Sequence, residues 1–159
     1  MNYAGQCDVV LLTYGEKGNP GWSESETAHA RREEFRNIMK RLEVHKYIEF
    51  KIPDSKIDEE IQRLKKIPFF RYDYIFLPNR YDIHPDHNCI YRFVKQRTDR
   101  QKVKPVIFEY EMWGMFRKPS HYIDITGRID EKKELMRSYK SQEIYINYCD
   151  RIVALNYFR

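Results

Sequence analysis

The feature that most restricts the fold is a series of short apolar runs, each separated from the next by a stretch with helical spacing. "CDVVLLTY" (residues 7–14) is continuously apolar, as expected of a strand covered on both faces. "KYIEFKI" (46–52) alternates and stops at Pro53 and Asp54; "YDYIFLP" (72–78) and "KPVIFEYEM" (104–112) follow, with "HYIDIT" (121–126) as a further short strand candidate. After the first run, "GEKGNPG" is a loop by its glycine and proline content. "SESE" then forms a capping box, with Ser23 as N-cap and Glu26 three residues on. Ala28, Phe35, Ile38, Met39 and Leu42 recur with a period near 3.6. Ile57, Ile61, Leu64 and Ile67 predict a second amphipathic helix, Ile90, Phe93 and Val94 a third, and residues 129–155 a helical stretch broken near "KSQ". Strands alternating with helices predict an α/β, Rossmann-like domain with a mostly parallel sheet and helices on both faces.

At 159 residues the chain suits one domain spanning 1–159. The net charge of +5, from 29 basic and 24 acidic residues, is spread along predicted helices. Solvated helix faces account for it, and no nucleic-acid partner is expected. Cys7, Cys89 and Cys149 are odd in number and lack CxxC spacing, which argues against a disulfide framework and for a reducing, cytoplasmic setting. No stretch approaches the ~20 apolar residues of a membrane span.

In parallel α/β sheets ligands sit beyond the carboxyl ends of strands. "NRYDIHPDHN" (79–88) falls there and packs Asp82, His84, Asp86 and His87 into six residues. Imidazole and carboxylate are common zinc donors, and a catalytic zinc needs three protein ligands plus an open position. One histidine could bind metal while the other faces substrate. Asp86 could orient a ring through its N–H, with Asp82 a further supporting carboxylate. Alternatively, both aspartates simply cap the turn and the following helix.

The ordered motifs resemble the PIG-L/LmbE-like de-N-acetylase family, zinc enzymes acting on N-acetylglucosamine-containing substrates. They are "LLTYGEKG", "RREEFRNIMKRLEV" (with Glu43 where the family has glycine), "KIPD", "YDYIFLPNRYDIHPDHN" and "YIDITGRIDEKKELMRSYKSQ". The resemblance implies His87 as a zinc ligand. His84 would face the substrate carbonyl to stabilise the oxyanion or protonate the leaving amine, and Asp86 would tune His84. Arg31 would contact the sugar or its aglycone, with Arg32 adjacent, or else pair with Glu34 as a plain surface arginine. Glu109 and Glu111 would line the pocket or stay half solvated, while Ser141 and Gln142 would be structural. An N-acetylglucosamine conjugate is the implied substrate.

One departure is large. The family opens with a P/A-H-P-D-D-E motif that supplies two zinc ligands and the general base, and no such motif occurs here. "MNYAGQCDVV" reads as the tail of the family's first helix and its second strand. The expectation is a core shortened at both ends, inactive alone because its zinc site is incomplete. Unpaired strand edges and uncovered apolar surface would favour a partner. Two further readings stand beside this one: a non-catalytic sugar or nucleotide-sugar binding module, or a homo-oligomer completing the zinc shell through His29, His45 or His121.

Overall fold

In the computed structural model, which describes residues 6–44 and 46–159, four of the apolar runs become strands. These are β1 (Asp8–Leu11), β2 (Lys46–Glu49), β3 (Tyr74–Pro78) and β4 (Val106–Tyr110). The helices are α1 (Glu24–Arg41), α2 (Ile57–Glu60), α3 (Pro85–Asp99), α4 (Ile129–Arg137), α5 (Lys140–Glu143) and α6 (Tyr148–Phe158). Among the described residues the strands pair as two parallel ladders, β1 with β2 and β3 with β4. Each ladder belongs to one of two compact units: Met1–Asp54 with Ile123–Arg159, and Ser55–Tyr122. Residues 1–5, read above as a helix tail, and His45 lie outside the described residues. No described helix is long and apolar enough to cross a membrane.

In the first unit, β1 and β2 run in register from Asp8 opposite Lys46 to Leu11 opposite Glu49. Helix α1 is the crossover that a parallel pair requires. Its start is the expected capping box, with the Glu26 amide 3.2 Å from Ser23 Oγ and the Ser23 amide 2.9 Å from Glu26 Oε2. Phe35, Ile38 and Met39 are buried as one cluster against Val9, Leu11, Leu135 and Tyr139. The 3.6-residue stripe on α1 therefore faces β1 and α4.

The end of α1 is a Schellman turn. The Val44 amide bonds Met39 O at 2.9 Å and the Glu43 amide bonds Lys40 O at 3.1 Å, while Glu43 takes φ of 56°. That left-handed conformation favours glycine, the residue the resembled family carries here.

The long C-terminal helical stretch is divided into α4, α5 and α6. One break follows from Ser141, whose amide and hydroxyl bond the Glu34 carboxylate at 2.9 and 2.7 Å and so pull α5 onto α1. Asn147 then restarts the chain as α6, its Oδ1 accepting the Asp150 amide at 3.1 Å. "HYIDIT" does not form the expected strand. Asp124 Oδ1 accepts the Thr126 amide at 2.9 Å, and this local turn leads into a 3-10 turn at Thr126–Arg128.

In the second unit, the predicted helix over 57–67 is one α turn followed by a 3-10 segment, Ile61–Lys66. Ile61, Leu64 and Ile67 are spaced by three, the period of a 3-10 helix, and Pro68 holds Ile67 extended. β3 and β4 pair from Tyr74 opposite Val106 to Pro78 opposite Tyr110, with α3 as their crossover. Leu77 is buried, while Tyr74 and Phe76 are exposed on the opposite face, both stacked on Phe108 with ring centroids 6.1 and 5.3 Å away.

Candidate active site

β3 ends at Pro78 and α3 begins at Pro85, so the charged turn is held between two prolines. His84 is the N-cap, in the extended conformation that a following proline favours. Asp82 organises the turn. Its Oδ1 accepts the His84 amide at 2.9 Å and its Oδ2 accepts the Trp113 amide at 3.2 Å. The same Oδ2 stands 3.2 Å from His87 Nδ1, an ion-pair distance without hydrogen-bond alignment. The Asp82 side chain is fully buried. Burial pushes its carboxyl up, but the His84 amide, the His87 ring and the Trp113 amide outweigh that and hold it below the usual carboxylate range.

The two imidazoles lie against each other, with centroids 4.7 Å apart and planes 31° apart. Nδ1 of each is buried and accepts or donates no hydrogen bond among the described residues. Asp86, the second residue of α3, is buried and accepts the Ser55 amide at 3.0 Å. Ser55 is held at φ of 65°. A cleft of about 410 Å³ opens beside the turn, lined by Asp82, Ile83, Pro85, Asp86 and Asn88 among others. The structure thus brings Asp82, His84 and His87 together, and places Asp86 on the same helix start with its bond to Ser55. The capping alternative describes half of Asp82: one oxygen closes the turn and the other faces His87.

Arg31 belongs to the other unit. Its Nη1 donates to Gly15 O at 2.8 Å, so it fastens the glycine loop after β1. The neighbouring Arg32 joins Glu49 at 3.0 Å. Glu109 pairs with Arg80 in a two-pronged contact and also accepts the Arg80 amide at 2.8 Å. Burial raises its carboxyl, and Arg80 more than reverses this. Glu111 accepts the Phe116 amide at 2.6 Å. Ser141 is buried in the structural contact with Glu34.

Sequence reasoning missed three residues of this region: Asn79, Trp113 and Gly114. Asn79 is fully buried, donating to Gly114 O at 2.6 Å and accepting the Tyr81 amide at 2.8 Å. Its signal was present, since asparagine after a strand-ending proline is turn chemistry. Trp113 and Gly114 lie on a separate loop, and no spacing in the sequence connects them to the histidines.

A zinc ion needs three protein donors at a catalytic centre. Among the described residues, no group of three histidine, cysteine, aspartate or glutamate side chains could hold a metal. Those residues do not fit a complete zinc shell.

A family model described as PIG-L, GlcNAc-PI de-N-acetylase, matches residues 2–98, more than half of the chain. Two solved structures are similar in fold. One is the N,N'-diacetylchitobiose deacetylase of Pyrococcus horikoshii, complexed with its inhibitor MPG; the TM-score is 0.70 at 24% identity, covering 85% of this chain and 59% of that one. The other is a conserved protein of Thermus thermophilus, with a TM-score of 0.64 at 22% identity, covering 91% of this chain and 70% of that one. The chain therefore spans somewhat over half the length of the Pyrococcus enzyme. The turn carrying both histidines lies inside the matched residues, and the chain belongs to the PIG-L family of GlcNAc-PI de-N-acetylases.

Proposed function

We propose that the protein derives from a zinc-dependent amide hydrolase that removes acetyl groups from N-acetylglucosamine conjugates, and that the chain alone does not turn them over. The observation that carries this reading is the paired His84–His87 turn at the carboxyl end of β3, with the buried Asp82 behind it. His87 would be the one ligand this turn could offer to zinc, which would supply Lewis acidity if a full ligand set were present. His84 steadies the charge growing on that oxygen or hands a proton to the departing amine. Asp82 holds the histidine pair, Asp86 tunes His84 from the helix start, and Arg31 contacts the sugar or its aglycone. The site lacks a three-donor group among the described residues, which supports inactivity in isolation. The fold proposed for the chain is α/β and Rossmann-like, with parallel strands and helices on both faces. The proposed setting is cytoplasmic.

The same lack favours two other readings: a non-catalytic sugar or nucleotide-sugar binding module that works without metal, or a homo-oligomer in which a neighbouring copy completes the zinc shell. The deciding experiment measures free amine released from N,N'-diacetylchitobiose with added zinc, alongside calorimetry of the sugar in chelator. The hydrolase reading expects no turnover by this chain. It also expects turnover by a longer chain whose reading frame upstream of Met1 encodes an HPDD-type motif, abolished there by His84→Ala. Chelator-resistant affinity without such a reading frame supports the binding module. Turnover by the 159-residue chain itself overturns the proposed inactivity.

A further inference from the structure

The net positive charge falls in one unit. Ser55–Tyr122 holds 14 of the 29 basic residues but only 9 of the 24 acidic ones, which accounts for the whole excess of +5. Within that unit the charge gathers where α3 ends and the chain returns to β4. Residues 100–108 carry Arg100, Lys102 and Lys104 and no carboxylate, and Asp99 just before them is held by Lys95 at 2.5 Å. This segment reaches the amino-terminal edge of the ladder, where Val106 stands opposite Tyr74 and its amide bonds Asp73 O at 2.8 Å. Asp73 is exposed there, with Arg71 two residues before it. The histidine turn lies at the other end of the same strand, β3. Apolar side chains share the basic edge. Val103, between the two lysines, is 85% exposed; Phe70, on the 3-10 turn before β3, and Tyr74, at its start, are 72% and 60% exposed.

Cations interleaved with large exposed apolar groups match a surface that is anionic at the top and hydrocarbon just beneath. A second copy of the chain is a poor occupant, since a two-fold contact would set three cations against three. A nucleic acid would neutralise the cations but give the aliphatic Val103 nothing apolar to bury against. We propose that this edge docks the protein on an anionic bilayer. Arg100, Lys102 and Lys104 sit among the lipid headgroups, and Phe70, Tyr74 and Val103 reach the acyl boundary. Contact is at the surface, since no described helix is long and apolar enough to cross a membrane. The histidine turn, at the far end of β3, then faces away from the lipid. This goes beyond the sugar-directed reading and does not depend on it.

Flotation of the full chain with vesicles tests the proposal. Vesicles of phosphatidylcholine with about a third phosphatidylserine are expected to bind it at least tenfold more tightly than phosphatidylcholine alone at about 0.1 M salt. Lys102→Ala combined with Lys104→Ala is expected to weaken that binding at least tenfold, at about fivefold for each cation. Val103→Ser, which leaves the charge untouched, is expected to weaken it about threefold. All three side chains are exposed, so the far-ultraviolet spectrum should not change. Removing the same charge from the other unit, with Lys40→Ala and Arg151→Ala, is expected to cost less than about twofold, since those cations lie off the docking edge. Equal binding to neutral and anionic vesicles, or to neither, overturns the inference. An equal loss in the Lys40 and Arg151 pair overturns the location. An RNA oligonucleotide that binds more tightly than the anionic vesicles, and is indifferent to Val103→Ser, overturns the bilayer in favour of a nucleic acid.

Discussion

Glu49 at the end of β2 and Asp82 just after β3 are both nearly buried carboxylates, with side chains 8% and 0% exposed, yet their surroundings differ. Glu49 is held by fixed charge: Arg32 Nε at 3.0 Å, Arg36 Nε at 2.8 Å and the Tyr14 hydroxyl. Burial raises its carboxyl, but Tyr14, Arg36 and Arg32 bring it down to about 2. Tyr14 is pushed up to about 12, by burial first and then by its bond to Glu49. Asp82 has two backbone amides and an imidazole. Arginine stays charged throughout the working range, whereas imidazole is the side chain suited to exchanging protons near neutrality. The Glu49 cluster is therefore a fastener, and the Asp82 cluster can take part in proton chemistry.

Breaking each cluster separates the two roles. The largest stability loss is expected from Glu49→Ala, about 3 kcal/mol, because Arg32 and Arg36 lose the buried carboxylate they share, leaving Arg36 only Glu33 at 3.6 Å. Calorimetric melting should show it, with affinity for the sugar unchanged within about twofold. An undiminished melting temperature would assign the cluster no structural weight. Asp82→Ala is expected to lose less stability, about 2 kcal/mol for two amides left unpaired, but to weaken sugar binding severely. Equal binding by Asp82→Ala and the parent would reduce Asp82 to a turn cap.

Acid sharpens the same contrast. The folded-state value of Glu49 lies below its unfolded value, so its contribution is fully present above about pH 4.5 and lost as pH falls toward about 2. In Glu49→Gln, the stability lost across that window should shrink by on the order of 1–2 kcal/mol, after allowance for the partly exposed arginines. An unchanged slope would place the acid sensitivity on other groups, Asp82 among them, which has the same sign. The smallest effect is Glu43→Gly at the end of α1, where relief of the positive φ should add about 0.5–1 kcal/mol. A loss there would mean that contacts of the Glu43 side chain outweigh the strain.

Much of this was legible in the sequence because it is local. The Ser23–Glu26 box, the 3.6-residue stripe of Phe35, Ile38 and Met39, and the strand ending just before Asn79 all depend on neighbours within a turn or two. The HPDH turn was visible for the same reason, and the match to residues 2–98 bears out the resemblance built on it. What escaped was non-local. Ser141 breaking the C-terminal helix needs Glu34, more than 100 positions away. Trp113 reaches Asp82 only once β3 and β4 are paired and Gly114 permits close approach. "HYIDIT" failed as a strand because alternation states which face a strand would show, and says nothing of whether a neighbouring strand is there to receive it.

The most direct test follows the ring signals of the five histidines by NMR while N,N'-diacetylchitobiose is added in the presence of chelator. The His84 and His87 resonances are predicted to move together and saturate with the sugar, and to stop moving in Asp82→Ala. Saturable binding that leaves both rings unmoved while His29 or His121 shifts would contradict the account.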